Sequence, residues 1–143
     1  KLLSEHPNIV AAKEANGNIE SIIKTMNLCG DDLIFYSGDD SLAVPVLSVG
    51  GKGVISVAAN VVPQKVHDMC FSFFEKDAEK AAELQREIAE ITEVLFSETN
   101  PIPVKKALSL MGYDVGKGRL PLCEMSEKNA EKLEKALKNE GLI

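Results

Sequence analysis

Three short apolar runs begin near residues 9, 33 and 54, and each leads through a turn into a stretch with helical spacing. An alternation of extended and helical patterns every 20 to 24 residues or so is the rhythm of an α/β fold, because parallel strands need a crossover between them. The first run, Ile9 to about Lys13, lies between Pro7-Asn8 and Asn16-Gly17-Asn18 and reads as a buried parallel strand. Asn18 is placed to cap a helix from Ile19 to about Leu28, in which Ile19, Ile22, Ile23 and Met26 recur at helical spacing. The second run, Leu33 to Ser37, ends at Gly38-Asp39-Asp40, and a helix follows over about 41–48 despite Pro45. The third, Val54 to Val57, is the most β-branched run in the chain, and Pro63 opens a helix to about Phe74. Residues 1–6 read as the last turn of a helix closed by Pro7.

After Phe74 the alternation stops. Ala81, Leu84, Ile88, Ile91 and Leu95 recur at three and four, which predicts one long helix over 77–96. The Thr99–Pro103 segment breaks it, and Pro103 opens another helix to about Met111. An irregular stretch runs from Gly112 to Met125. Ser126 is then expected to cap a last helix to about Glu140, with Glu131–Lys135 and Glu134–Lys138 pairs along it. The chain thus divides into an α/β part, 1–76, and a helical part, 77–143.

Composition limits the partners. With 16 basic and 22 acidic residues interleaved and a formal charge of −6, the surface is poorly suited to tracking phosphates, which argues against nucleic acid. No apolar run approaches the roughly 20 residues needed to cross a bilayer, so no membrane association is expected. Cys29, Cys70 and Cys123 are far apart and lack metal-ligand spacing, as in a protein of the reducing cytoplasm. The chain begins with Lys1 rather than Met, consistent with a piece of something longer.

Among chemistry-bearing residues, Lys13 stands out because it ends a parallel strand just before a βα loop. That is the end at which α/β enzymes keep their chemistry. A lysine there either reaches solvent or sits desolvated, where the neutral amine becomes a nucleophile. Gly38, at the same end of the second strand, permits close approach of a ligand or a neighbouring side chain. Asp39 and Asp40 are read as a turn and a helix N-terminus, Ile55 as a core residue or a backbone contact, and Tyr36 as packing. Gly50, Gly51 and Gly53 precede a strand, so they are read as a helix cap and tight turn rather than a phosphate cradle.

Four blocks carry a resemblance: Val10-Ala11-Ala12-Lys13-Glu14-Ala15-Asn16-Gly17-Asn18, Ser37-Gly38-Asp39-Asp40, Gly50-Gly51-Lys52-Gly53-Val54-Ile55-Ser56-Val57 and Asn100-Pro101-Ile102-Pro103-Val104-Lys105. Together with Arg119-Leu120-Pro121-Leu122 and Gly141-Leu142, they make the chain similar to the dihydrodipicolinate synthase (4-hydroxy-tetrahydrodipicolinate synthase) family. Ala12, Asn16 and Ala58 depart from the usual family pattern, which bears on fine substrate preference.

The resemblance implies the second half of a class I aldolase: the last three parallel β/α units of a (β/α)8 TIM barrel, followed by a small helical domain. It implies that Lys13 condenses with pyruvate, that the main chain of Ile55 lies beside the bound pyruvate, and that Gly38 belongs to the pocket wall. The enamine so formed attacks L-aspartate 4-semialdehyde, giving the precursor of lysine and diaminopimelate without metal or organic cofactor. The family's proton-relaying tyrosines, carboxylate-binding threonine and substrate-binding arginine fall outside these residues, so the chain alone is expected to be inactive. It also implies a cytoplasmic homo-oligomer, a tetramer in relatives, once the barrel is whole. Alternatives are a sister aldolase of the N-acetylneuraminate lyase or 2-keto-3-deoxy sugar acid type, or a non-catalytic assembly module docking through the helix at 77–96.

Overall fold

A computed structural model describes residues 1–143. It is an α/β structure with two paired strands and seven α-helices: β1 (Ala11–Glu14), α1 (Ile19–Cys29), β2 (Ile34–Ser37), α2 (Ala43–Ser48), α3 (Pro63–Phe74), α4 (Ala78–Glu87), α5 (Ala89–Leu95), α6 (Ile102–Leu110) and α7 (Glu127–Asn139). β1 and β2 are parallel, with Ala11, Ala12, Lys13 and Glu14 opposite Ile34, Phe35, Tyr36 and Ser37. Asn18 caps α1 as its position predicts, its side chain accepting a hydrogen bond from the Ser21 amide at 3.0 Å. Residues 2–5 form a 3-10 turn rather than an α-helical end. The helix expected from residue 41 begins as a 3-10 turn at Asp40–Leu42 and becomes α-helical only at Ala43.

The third run does not form a full strand. It lies parallel to β2 through a single bridge, Ser37 to Val54. Its ladder contains Lys52 N–H to Phe35 C=O at 2.8 Å, Ser37 N–H to Gly53 C=O at 2.9 Å and Ile55 N–H to Ser37 C=O at 2.8 Å. The chain leaves that ladder immediately, because Val57 and Ala58 turn to donate their amides to Asp40.

β1 is not buried either. Ala11 and Lys13 are exposed, and Ala12 and Glu14 are only partly covered. The apolar run identifies a strand, but burial on both faces requires neighbours that β1 lacks, since β2 is its one partner.

The expected long helix over 77–96 is broken at Ile88 into α4 and α5. Its apolar stripe survives the break: Ala81, Leu84, Ile88, Ile91 and Leu95 are all buried. α4 packs against α3 and α2, while α5, α6 and α7 pack together. Ser126 does precede α7, yet its side chain does not cap it. Its hydroxyl instead donates to Glu98 at 2.6 Å. Of the two ion pairs expected along α7, Glu134–Lys138 is made, at 2.6 Å.

Between α3 and α4 the chain turns at Glu75–Asp77, with Lys76 at φ 70°. A single cluster of 16 buried apolar residues nevertheless runs from Ala43, Val57 and Met69 through Leu84 and Leu95 to Leu133 and Leu137. The helices therefore complete the core under α2 and α3.

Candidate active site

Strand alternation decides which residues share a face. Lys13 pairs with Tyr36 and Ser37 bridges to Val54, so Lys13, Tyr36, Gly38, Gly53 and Ile55 fall on one side. Phe35 and Ser37 point to the other side and are buried, whereas Ile34 and Ile55 remain exposed. The sheet therefore has one face covered by helices and one open, and all three residues singled out from sequence, Lys13, Gly38 and Ile55, lie on the open one.

Two glycines shape that face. A β-carbon at Gly38 would stand 2.7 Å from Ala15 Cβ and from Lys13 Cε, and 2.9 Å from Lys13 Cγ. The absent side chain is thus the bed on which the lysine stem rests. Gly53 performs the same service for Tyr36, two of whose ring carbons would be 3.3 Å from a β-carbon there. Gly53 is therefore more than the tight-turn residue expected from sequence. Lys13 itself is exposed, its amine reaching the open side of the sheet.

Sequence reasoning missed the role of Asp40. Its carboxylate is fully buried and accepts from the Val57 amide at 2.8 Å, the Ala58 amide at 3.2 Å and the Ser56 hydroxyl. Its carbonyl accepts from Gln85 Nε2 at 2.9 Å, and Gln85 Oε1 accepts from the Val44 amide at 3.0 Å. A carboxylate can be buried when donors replace its water. Asp40 thus fastens the segment just after Ile55 to the loop after β2 and to α4. Asp39 has the expected local role, accepting from the Ser41 amide at 2.9 Å. Nearby, burial pushes the Cys70 thiol above its ordinary range, with the Asp40 charge adding to the effect. No three His, Cys, Asp or Glu side chains converge to hold a metal ion.

Residues 1–140 match the model of the Dihydrodipicolinate synthetase family. The chain belongs to that family. Among the family's curated proteins, 4-hydroxy-tetrahydrodipicolinate synthase 1 of Clostridium acetobutylicum is 53% identical over 136 residues, covering 95% of this chain and 46% of that protein. The crystal structure of dihydrodipicolinate synthase from Thermotoga maritima superposes with a TM-score of 0.92 at 40% identity, covering 99% of this chain and 49% of that one. The chloride-inhibited dihydrodipicolinate synthase from Acinetobacter baumannii, solved in complex with pyruvate, gives a TM-score of 0.91 at 40% identity, covering 99% and 49%. The chain spans about half the length of the family members it matches. No helix is long and apolar enough to cross a membrane.

Proposed function

We propose that this chain carries the Schiff-base half of a lyase that condenses pyruvate with L-aspartate 4-semialdehyde to 4-hydroxy-tetrahydrodipicolinate. The observation that supports it most directly is the convergence of Lys13, Gly38 and Ile55 on one open sheet face, in a chain 53% identical to a synthase of that name. The two β/α units and the bridged third segment are read as a section of a closed (β/α)8 barrel whose interior is this open face.

The chemistry follows from the amine. Neutral Lys13 Nζ adds to the pyruvate ketone, and loss of water gives an iminium whose positive nitrogen draws electrons from the adjacent methyl. A proton leaves that methyl, and the resulting enamine carbon forms a bond to the aldehyde carbon of the second substrate. The new hydroxyl takes up a proton. The amino group of the semialdehyde then displaces Lys13 as the ring closes. Each proton transfer needs a positioned acid or base, worth about 10² to 10⁴ in rate. The open face offers Tyr36 as its only phenol, so these groups come from the part of the fold that this chain does not span.

Borohydride trapping tests the reading. Pyruvate and borohydride, added to the barrel completed with the rest of the family fold, should leave a reduced adduct on the peptide containing Lys13. An adduct elsewhere, or none, refutes it.

A further inference from the structure

The strand register divides the open face into two layers. In the lower one Lys13, Tyr36 and Gly53 lie side by side; in the upper one, toward the strand C-termini, stand Ala15, Gly38 and Ile55. The layers are two residues apart along each strand, about 7 Å. Lys13 starts in the lower layer and leaves it. Its Cγ and Cε come within 2.9 and 2.7 Å of the place where Gly38 would carry a β-carbon, so the stem climbs diagonally across β2 into the upper layer. Tyr36 stays below. Its ring carbons Cδ1 and Cε1 lie 3.3 Å from the corresponding place on Gly53, so the ring reaches across to the neighbouring segment within its own layer.

We propose that the Tyr36 ring, seated on Gly53, is the floor of the keto-acid pocket and sets how long a 2-oxo acid Lys13 accepts. This rests on the reading of Lys13 given above.

A 2-oxo acid condensed with the amine carries two arms, a carboxylate and an alkyl group. The carboxylate needs hydrogen-bond donors, whereas a ring one layer beneath the amine offers an apolar surface, which suits the alkyl arm. A methyl is the shortest such arm, and each added carbon lengthens it toward the ring. The floor cannot sink to make room. Gly53 is buried and its carbonyl is tied to the Ser37 amide at 2.9 Å, so the backbone under the ring is fixed by the ladder. An apolar pocket of fixed depth separates substrates that differ by one methylene by about 10- to 200-fold. Replacing the ring with a small side chain removes that limit.

The test offers the barrel, completed with the rest of the family fold, an equimolar mixture of pyruvate and 2-oxobutanoate together with borohydride. The two reduced adducts on the Lys13 peptide differ in mass, and their ratio reads the preference. The unsubstituted protein should favour pyruvate, and Tyr36→Ala should cut the ratio at least tenfold by trapping 2-oxobutanoate faster than the parent does. A damaged fold cannot produce that gain. Should Tyr36→Ala fail to fold, Tyr36→Val, whose branched side chain suits a strand, carries the same expectation. Tyr36→Phe should keep the ratio, because the ring and not its hydroxyl sets the depth. An unchanged ratio in the small variants overturns the floor, as does an equal loss of preference in Tyr36→Phe. Absence of any Lys13 adduct in the unsubstituted protein refutes the reading of Lys13 and the floor with it. Lys13 adducts whose ratio ignores position 36 refute the floor alone.

Discussion

The stem of Lys13 lies across Gly38, in the space that a β-carbon at position 38 would occupy 2.7 Å from Lys13 Cε. Gly38→Ala must push the lysine aside, and it also meets Ala15 Cβ, which cannot rotate away. In the completed barrel a displacement of this size at a reacting group costs about 10²-fold in rate. Trapping yield measured against time should fall accordingly, while Lys13→Ala abolishes it. Unchanged trapping in Gly38→Ala would show that the stem does not need this bed.

Asp40 is a stability determinant, fully buried with its carboxylate met by three donors. Asp40→Asn keeps the shape but replaces one acceptor oxygen with a donor facing Ser56, Val57 or Ala58. Leaving a buried donor unpaired costs about 1–3 kcal/mol. Asp40→Ala should cost more, because all three donors then lose their partner. Urea denaturation of the two variants checks both the sign and the order.

Leu137 is fully buried on α7, in the same cluster as Met69 of α3. Leu137→Ala should destabilise by about 2–5 kcal/mol, as large-to-small changes in a packed core do. A thermal melt should lose both parts of the molecule in one transition. Selective melting of α5–α7 alone would contradict the shared core.

Glu98 accepts from the Ser126 hydroxyl, the Ser126 amide and Asn129 Nδ2, and these donors hold its carboxyl below the ordinary range. A carboxylate depressed by folding stabilises the native state above its unfolded pKa, and that contribution disappears as pH falls through its folded pKa. Glu98→Gln should therefore remove part of the acid sensitivity. Melting temperature against pH should be flatter for the variant in the acid range, and a parallel curve would show that the clamp is silent.

Much of this was legible in the sequence because the cues were local. Asn18 and Pro63 mark helix starts through their own backbone chemistry, and the stripe through Leu84 and Leu95 follows helical spacing. The misreadings share a cause. The apolar Ile9–Lys13 run signals extended backbone but cannot say whether neighbours exist to bury it, and the β-branched Val54–Val57 run could not reveal that Asp40 draws it off the ladder. The Ser126 hydroxyl was expected to serve its own helix, yet Glu98, 28 residues earlier, competes for it. Lys13, Gly38 and Ile55 were singled out through strand-end position and family motif together, and strand register places them on one face. Tyr36 reads as packing from sequence, and its ring does lie against Gly53.

The apolar cluster shared by residues on both sides of Lys76 has a consequence for inheritance. A protease cut there would leave two pieces, each with half a core facing water. The terminal helices are therefore no detachable accessory, and evolution could shorten or exchange them only by rebuilding the apolar sides of α2 and α3 at the same time.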